Sequence, residues 1–219
     1  METRGDNLPS LIEEMDLPRV PQQARSRQKR DAILEAAGRL FAERGYEATT
    51  TDDIAAAAGV SVGTFYGYFH NKRQVFLTLF AASFEALLAL RIDELDFSTS
   101  PRQVMRETIR RAMDKAPRDY GLARAWQELA PRDPQLAAYH ERLHRLIREQ
   151  VRVAFRRAAE RGLTWPDIDL DITSDIVTLV VDCLWEWEPG PEHLTAEQRQ
   201  RYYDAAADMI ARGIFRVVE

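Results

Sequence analysis

The sequence predicts an all-α protein of about nine helices, and three observations carry that expectation. Apolar residues recur every three or four positions in segment after segment. Capping residues open these segments, and Gly or Pro closes them. No stretch alternates apolar and polar side chains with the period of two that a strand needs, and no internal repeat is present.

The chain has 219 residues, 45% of them apolar and 30% charged, which describes an ordinary protein able to bury a sizeable core. No apolar run is expected to reach the roughly 20 residues that span a bilayer, and the first residues lack the apolar core of a signal peptide. A single cysteine, Cys183, excludes an intramolecular disulfide and a zinc site built from several thiolates. A reducing, cytoplasmic compartment is expected. Net charge is −5, but it is unevenly spread. Residues 19–75 carry nine basic against six acidic side chains, whereas the segments on either side are net negative. A local basic excess steers association with phosphates.

Residues 1–24 contain Pro9, Pro18 and Pro21 and read as a flexible arm, with transient helix around Leu11-Ile12-Glu13-Glu14. Just beyond it, Arg25, Arg27, Lys29 and Arg30 are placed to touch a DNA backbone or minor groove. The first sustained helix runs from about Arg25 to Arg44, with Ile33, Leu34, Ala37, Leu40 and Phe41 as its apolar face and Gly45 as its stop. It provides a floor for two short helices, whose inward residues are Ile54, Ala58, Val60, Phe65 and Phe69.

Those two helices lie between Thr49 and Lys72. Thr50 or Thr51 caps the first, with Asp52 and Asp53 complementing its dipole. Gly59 ends it in the left-handed conformation, and Ser61 caps the second, which runs from Val62 to Phe69. Helix, tight turn and short helix make the geometry of a DNA-reading helix-turn-helix. A domain is therefore expected over 25–71.

Asn71 caps a long helix from Lys72 to about Leu95. Ser100 and Pro101 open another that continues to Lys115. A shorter helix spans Tyr120 to Ala130. Asp133-Pro134 opens a helix that ends at Gly162 and carries Leu136, His140, Leu143, Ile147, Val151, Ala154 and Ala158 on one stripe. A helix from Asp171 through Glu188 is apolar on two sides. Ile176, Leu179, Val180, Cys183 and Trp187 form one stripe; Val177, Val181, Leu184 and Trp185 form the other. Two apolar sides need two covers, one the protein's own core and the other a second subunit. The interface is placed on Val177, Val181, Leu184 and Trp185, with Tyr203 and Ile214 of the last helix. Thr195 and Gln198 form a capping box for that helix, whose Tyr202, Ala206, Met209, Ile210, Gly213 and Val217 face inward.

The segment Arg30–Lys72, containing ILEAAGRLFAERGYEATTTDDIAAAAGVSVGTFYGYFHNK, resembles the N-terminal domain of tetracycline-repressor (TetR) family transcriptional regulators. The resemblance combines the helix floor, the turn glycine and a G-T-F-Y-x-Y-F-x-N-K signature. It implies a homodimer on a palindromic double-stranded DNA operator, with helices over 72–219 sensing a small-molecule effector and dimerising. It also implies that Thr50 and Thr51 meet phosphates and that Ser61, Val62, Gly63 and Thr64 approach bases or backbone. Tyr66 and Tyr68 donate to phosphates or pack as half-buried tyrosines, and Lys72 pairs with a phosphate. Val62 and Gly67 offer no hydrogen-bonding side chain, though Val62 can meet a thymine methyl. Phe65 and Phe69 are core.

The effector's lining candidates are Phe84, Met105, Met113, Trp126, Tyr139, His140, His144 and Trp187, each of which also reads as plain core. His140 and His144 are four residues apart, but no third ligand accompanies them, so neither metal nor cofactor is expected. Asp182, Glu186 and Glu188 beside Trp185 and Trp187 form either a site for a cation or a polar edge. A constitutive DNA-binding or architectural protein without effector, and a regulator whose effector promotes binding, remain alternatives. An enzyme finds no phosphate-cradling glycine loop and no nucleophile–base pair.

Overall fold

The computed structural model of the chain describes residues 8–15, 17–115, 121–186 and 195–216. Among the described residues it is all helical: ten α-helices, two short 3₁₀ turns and one antiparallel bridge between Thr164 and Phe215. The chain divides into two units, Met1–Glu85 with Pro117–Leu143, and Ala86–Ala116 with His144–Glu219.

In the first unit, α1 (Leu8–Glu14) is the helix beyond those expected. Residues 8–15 were expected to be a flexible arm with only transient helix. Instead, Leu11 and Met15 are buried, the Tyr139 hydroxyl donates to the Glu14 carbonyl at 2.6 Å, and Arg142 pairs with the Glu14 carboxylate. Two apolar anchors and a charge-assisted contact offset the entropy of ordering so short a helix.

Helix α2 (Ala24–Arg44) buries Ile33, Ala36, Ala37, Leu40 and Phe41. Gly45 stops it at φ +86°, and its N–H donates to the Phe41 carbonyl at 3.0 Å. Helices α3 (Thr51–Ala57) and α4 (Val62–Tyr66) follow, with Ile54, Ala55, Phe65 and Phe69 closing the core between them. Burying each phenylalanine contributes about 2–3 kcal/mol. Helix α5 (Lys72–Leu88) starts at Asn71, whose Oδ1 accepts the Gln74 N–H at 2.9 Å; Gln74 in turn accepts the His70 N–H. Helix α7 (Gly121–Leu129) packs on α2, and the early part of α8 (Pro134–Glu160) completes the unit. Asp133 caps α8 by accepting the Leu136 N–H. The residues expected to start α7, around Tyr120, lie outside the described residues.

Two expectations about α5 are corrected. The α-helix ends at Leu88 rather than near Leu95, because Arg91 turns left-handed at φ 51° and a 3₁₀ turn follows over Ile92–Glu94. Residues 72–94 are also long and apolar enough to cross a membrane by length and composition, contrary to the expectation that no such run exists. Val75, Phe76, Leu77, Phe80, Ala81 and Phe84 of that run are buried in protein.

In the second unit, α6 (Pro101–Lys115) packs on α10 (Ala196–Ile214). Asp208 of α10 accepts forked hydrogen bonds from Arg102 and Arg106, one turn apart on α6. The Thr195–Gln198 capping box forms as expected. Helix α9 (Leu170–Glu186) is capped by Asp169, which accepts the N–H groups of Asp171 and Ile172, so it begins one residue before Asp171. Met105, Met113, Phe155, Val177, Ile210 and Ile214 share one buried core.

The expected interface on α9 is therefore corrected in part. Val177 and Ile214 are buried in the unit's own core, and Val181, Leu184 and Tyr203 pack partly against it. Ile176 and Leu179 of the opposite stripe, with Tyr202 and Met209 of α10, stand exposed although Tyr202 and Met209 were expected to face inward. Which stripe a doubly apolar helix turns inward is decided by what packs on it, and α10 packs on the Val177 side. The side chains of Trp185 and Glu186, and the whole of Trp187, Glu188 and Val217, lie outside the described residues.

Candidate nucleic-acid interface

The turn unit is built from local capping. The Thr50 hydroxyl accepts the Asp53 N–H at 3.1 Å while the Asp53 carboxylate accepts the Thr50 N–H at 3.0 Å, a reciprocal box that settles Thr50, not Thr51, as the cap of α3. The Thr50 hydroxyl, then its backbone N–H, hold the Asp53 carboxyl below its ordinary range. Gly59 ends α3 at φ +67°, where a side chain would be strained. Ser61 caps α4 by accepting the Thr64 N–H at 3.1 Å.

Helix α4 ends at Tyr66, earlier than the expected Phe69. The Gly67 N–H turns back to the Gly63 and Thr64 carbonyls, and a Cβ at Gly67 would stand 3.2 Å from the latter. Of the expected contact residues, Thr50, Ser61, Val62, Gly63 and Tyr66 are exposed, while Thr51, Thr64 and Tyr68 are half-buried. Val62 is 38% and Tyr66 51% exposed. Four of the polar members are brought together in pairs: Ser61 with Thr64 at 2.8 Å and Thr51 with Tyr66 at 3.3 Å, hydroxyl to hydroxyl. Phe65 and Phe69 are buried, as expected of core residues.

Lys72 occupies a different place from the one its expected phosphate role requires. Its ammonium donates to the carbonyls of Tyr46 at 2.8 Å, Thr49 at 3.0 Å and Glu47 at 3.3 Å, using all three of its donors. It also lies 4.4 Å from the centroid of the Tyr46 ring. Burial pushes the Tyr46 hydroxyl up to about 12. Arg30, expected at the DNA backbone, is likewise turned inward: its side chain is 12% exposed and its guanidinium lies 5.8 Å from the Phe69 ring centroid. Arg25 and Arg27 are exposed and Lys29 half-buried.

The loop that enters α3 is also held from α7, a support that local sequence patterns do not signal. The Glu128 carboxylate accepts the Glu47 N–H at 2.9 Å and sits against Gly45, where an added Cβ would come within 2.2 Å of Oε1. Arg132 pairs with the Glu47 carboxylate at 2.9 Å. Arg73 pairs with Asp133 at 2.6 Å, holding that carboxyl below its ordinary range.

The effector candidates separate. Trp126 and His140 stack at 4.2 Å between ring centroids, Phe80 stacks on Trp126 at 5.5 Å, and Phe84 meets His140 edge-on at 5.9 Å. Tyr139 instead serves α1, while Met105 and Met113 are core of the second unit. His144 lies in that unit too, its Nδ1 3.1 Å from Asp182. Among the described residues no group of three metal-ligating side chains occurs.

A capped helix, a glycine turn and a short exposed helix on an all-helical chain define a helix-turn-helix DNA-binding protein. Residues 33–79 match the model of bacterial regulatory proteins of the tetR family. The transcriptional regulator TcmR of Streptomyces glaucescens is 32% identical over 164 residues, spanning 72% of this chain and 70% of that relative. The transcriptional repressor KstR2 of Mycobacterium tuberculosis is 29% identical over 192 residues, 85% of this chain and 94% of the relative. A solved structure of KstR2, the ketosteroid transcriptional regulator of that organism, superposes with a TM-score of 0.66 over 90% of this chain and all of its own, at 25% identity. PfmR of Thermus thermophilus shares the fold, with a TM-score of 0.67 over 85% of this chain and 97% of its own at 23% identity. The chain belongs to the tetR family: it is a transcriptional regulator and not an enzyme, and DNA binding through its helix-turn-helix follows from that membership.

Proposed function

We propose that this regulator is a repressor that holds a palindromic operator as a homodimer and is released by a small-molecule effector. The observation that carries the dimer is the exposed apolar groove of about 440 Å³ between α9 and α10, lined by Ile176, Leu179, Val180, Cys183, Leu184, Tyr202, Ala205, Ala206 and Met209. Leu179 and Met209 are 61% and 59% exposed there. A patch of large apolar side chains bordered by small alanines suits close helix packing against a second copy. Dimerisation also supplies specificity, because one five-residue helix spans too few base pairs to select a genomic site.

The effector reading rests on the rings around His140 on α8, Trp126 on α7, and Phe80 and Phe84 on α5. The ring contacts continue from Phe80 to Phe76, stacked at 6.0 Å, and from Phe76 edge-on to Tyr46 at 6.0 Å, which brings them to the carbonyls that Lys72 holds. Glu128, two residues after Trp126, grips the same loop. An effector that repositions α7 thereby shifts the entrance of α3. Such a ring cluster suits a largely apolar compound. A repressor name for one relative, and a ketosteroid regulator among the structural relatives, support both parts. Full induction demands strong discrimination, since moving a population from 1:99 to 99:1 takes about 5.5 kcal/mol of differential affinity.

The test is capture of genomic fragments on the protein, followed by a compound screen on the captured fragments, with the fluorescence of a variant that keeps Trp126 as its single tryptophan as a parallel readout. Release accompanied by a fluorescence change supports the proposal. Tighter retention would reverse the sign of regulation, and no response across apolar compound classes would favour a constitutive DNA-binding protein.

A further inference from the structure

The geometry points to Val62 as a reader of thymine in the operator half-site, through apolar contact with the C5-methyl group; this rests on α4 being the helix that enters the major groove. Between Thr50 and His70 the chain contains no arginine, lysine, asparagine or glutamine, the side chains that read guanine or adenine by paired hydrogen bonds. The hydroxyls of α4 and its cap have local partners. Ser61 and Thr64 bond to each other at 2.8 Å, Ser61 also caps α4, and Tyr66 meets Thr51 at 3.3 Å.

Val62 is the exposed aliphatic side chain at the front of this helix, beside hydroxyls that are already engaged with one another. It is the first residue of α4, the end from which recognition helices contact base edges, and it is 38% exposed. Gly63 beside it is open: a Cβ there would meet only Ser61 Oγ, at 4.0 Å. The isopropyl group is therefore flanked by bare backbone, free to approach a groove wall closely. In the major groove the thymine methyl is the apolar feature of a base pair, and it is absent from the other three bases. An isopropyl group placed against cytosine or adenine would instead cover a polar edge without satisfying it.

The test uses the full chain and the tightest-binding duplex recovered from random DNA by selection. Each thymine is replaced in turn by deoxyuridine, symmetrically in both half-sites, which removes the methyl and leaves the hydrogen-bonding pattern unchanged. One symmetric pair is expected to weaken binding about ten- to twenty-fold, or about three- to five-fold per half-site, the worth of a buried methyl-sized group. Val62→Ala is expected to bind the thymine and deoxyuridine duplexes alike while keeping its thermal stability. If every replacement is silent, or if the penalty persists in Val62→Ala, the inference is wrong although DNA binding stands. If no duplex is enriched at all, the DNA-reading role of α4 falls and this inference with it.

Discussion

The Lys72 ammonium donates to the Tyr46 carbonyl at 2.8 Å and lies 4.4 Å from the centroid of the Tyr46 ring. One side chain at the start of α5 thus closes the C-terminal turn beyond α2, and the Glu47 and Thr49 carbonyls complete its set of acceptors.

Lys72→Met is therefore expected to lower stability by about 2 kcal/mol, the scale of hydrogen bonds to a charged donor. DNA affinity should fall as well, because the loop entering α3 loosens. The distinguishing measurement is the salt dependence of binding. Removing a lysine that neutralises a phosphate would flatten the log–log slope by about 0.9 per subunit, about 1.8 for the dimer, whereas removing one that only braces the loop leaves the slope unchanged. An unchanged slope with a lower melting temperature is the predicted pair of results.

Gly45 combines φ +86° with the Glu128 carboxylate at the position where a Cβ would stand. Gly45→Ala should destabilise by about 1–3 kcal/mol, from left-handed strain plus displacement of Glu128. Adding Glu128→Ala removes the clash but not the backbone strain. Thermal melts should thus show the double variant losing less than the two single losses summed, and strict additivity would mean the two residues do not interact.

For the subunit interface, Leu179→Glu and Met209→Glu are expected to give folded monomers, seen as halved mass in sedimentation with the melting transition retained. Val177→Glu and Ile214→Glu should unfold the protein instead, because both side chains lie in the buried core. A Leu179→Glu protein that stays dimeric at micromolar concentration would remove this groove from the interface. With Cys183 lining the same groove, oxidative cross-linking between copies offers an independent check.

Asp96 and Asp208 should join Asp53 and Asp133 in making the fold sensitive to acid. The Ser98 hydroxyl and backbone N–H, together with Arg161, lower the Asp96 carboxyl to about 2 from its ordinary 3.8. The Arg102 and Arg106 forks hold Asp208 well below that ordinary value too. Both pKa values are lower in the folded state than in the unfolded one, so the stability they contribute is complete above about pH 4 and is lost as the pH falls further. Asp208→Asn should flatten the stability profile below pH 4 while lowering its plateau at neutral pH. A profile identical in slope to the wild type would contradict the role given to that clamp.

What could be read from the sequence was the part governed by neighbours in the chain. Ser61, Asn71 and the Thr195–Gln198 box cap their helices as their types and spacings indicate, and the glycine turn at Gly59 falls where a left-handed residue was expected. What escaped was set by contacts distant in sequence. Leu11 and Met15 read as part of an arm until Tyr139 and Arg142, more than a hundred residues away, hold Glu14 between them. Lys72 looks like any basic residue near a DNA-reading helix, and only the fold brings three carbonyls to it. On α9 both stripes are apolar, so composition could not say whether Val177 or Ile176 faces the core.

The central claim, that a dimer places two copies of α4 on one duplex, is tested most directly by selecting bound sequences from random DNA with the 219-residue chain. The account predicts enrichment of an inverted repeat whose half-site centres lie about 34–36 Å apart, or a multiple of that turn, occupied by an even number of chains. Enrichment of a single unsymmetrical half-site bound by one chain would contradict it.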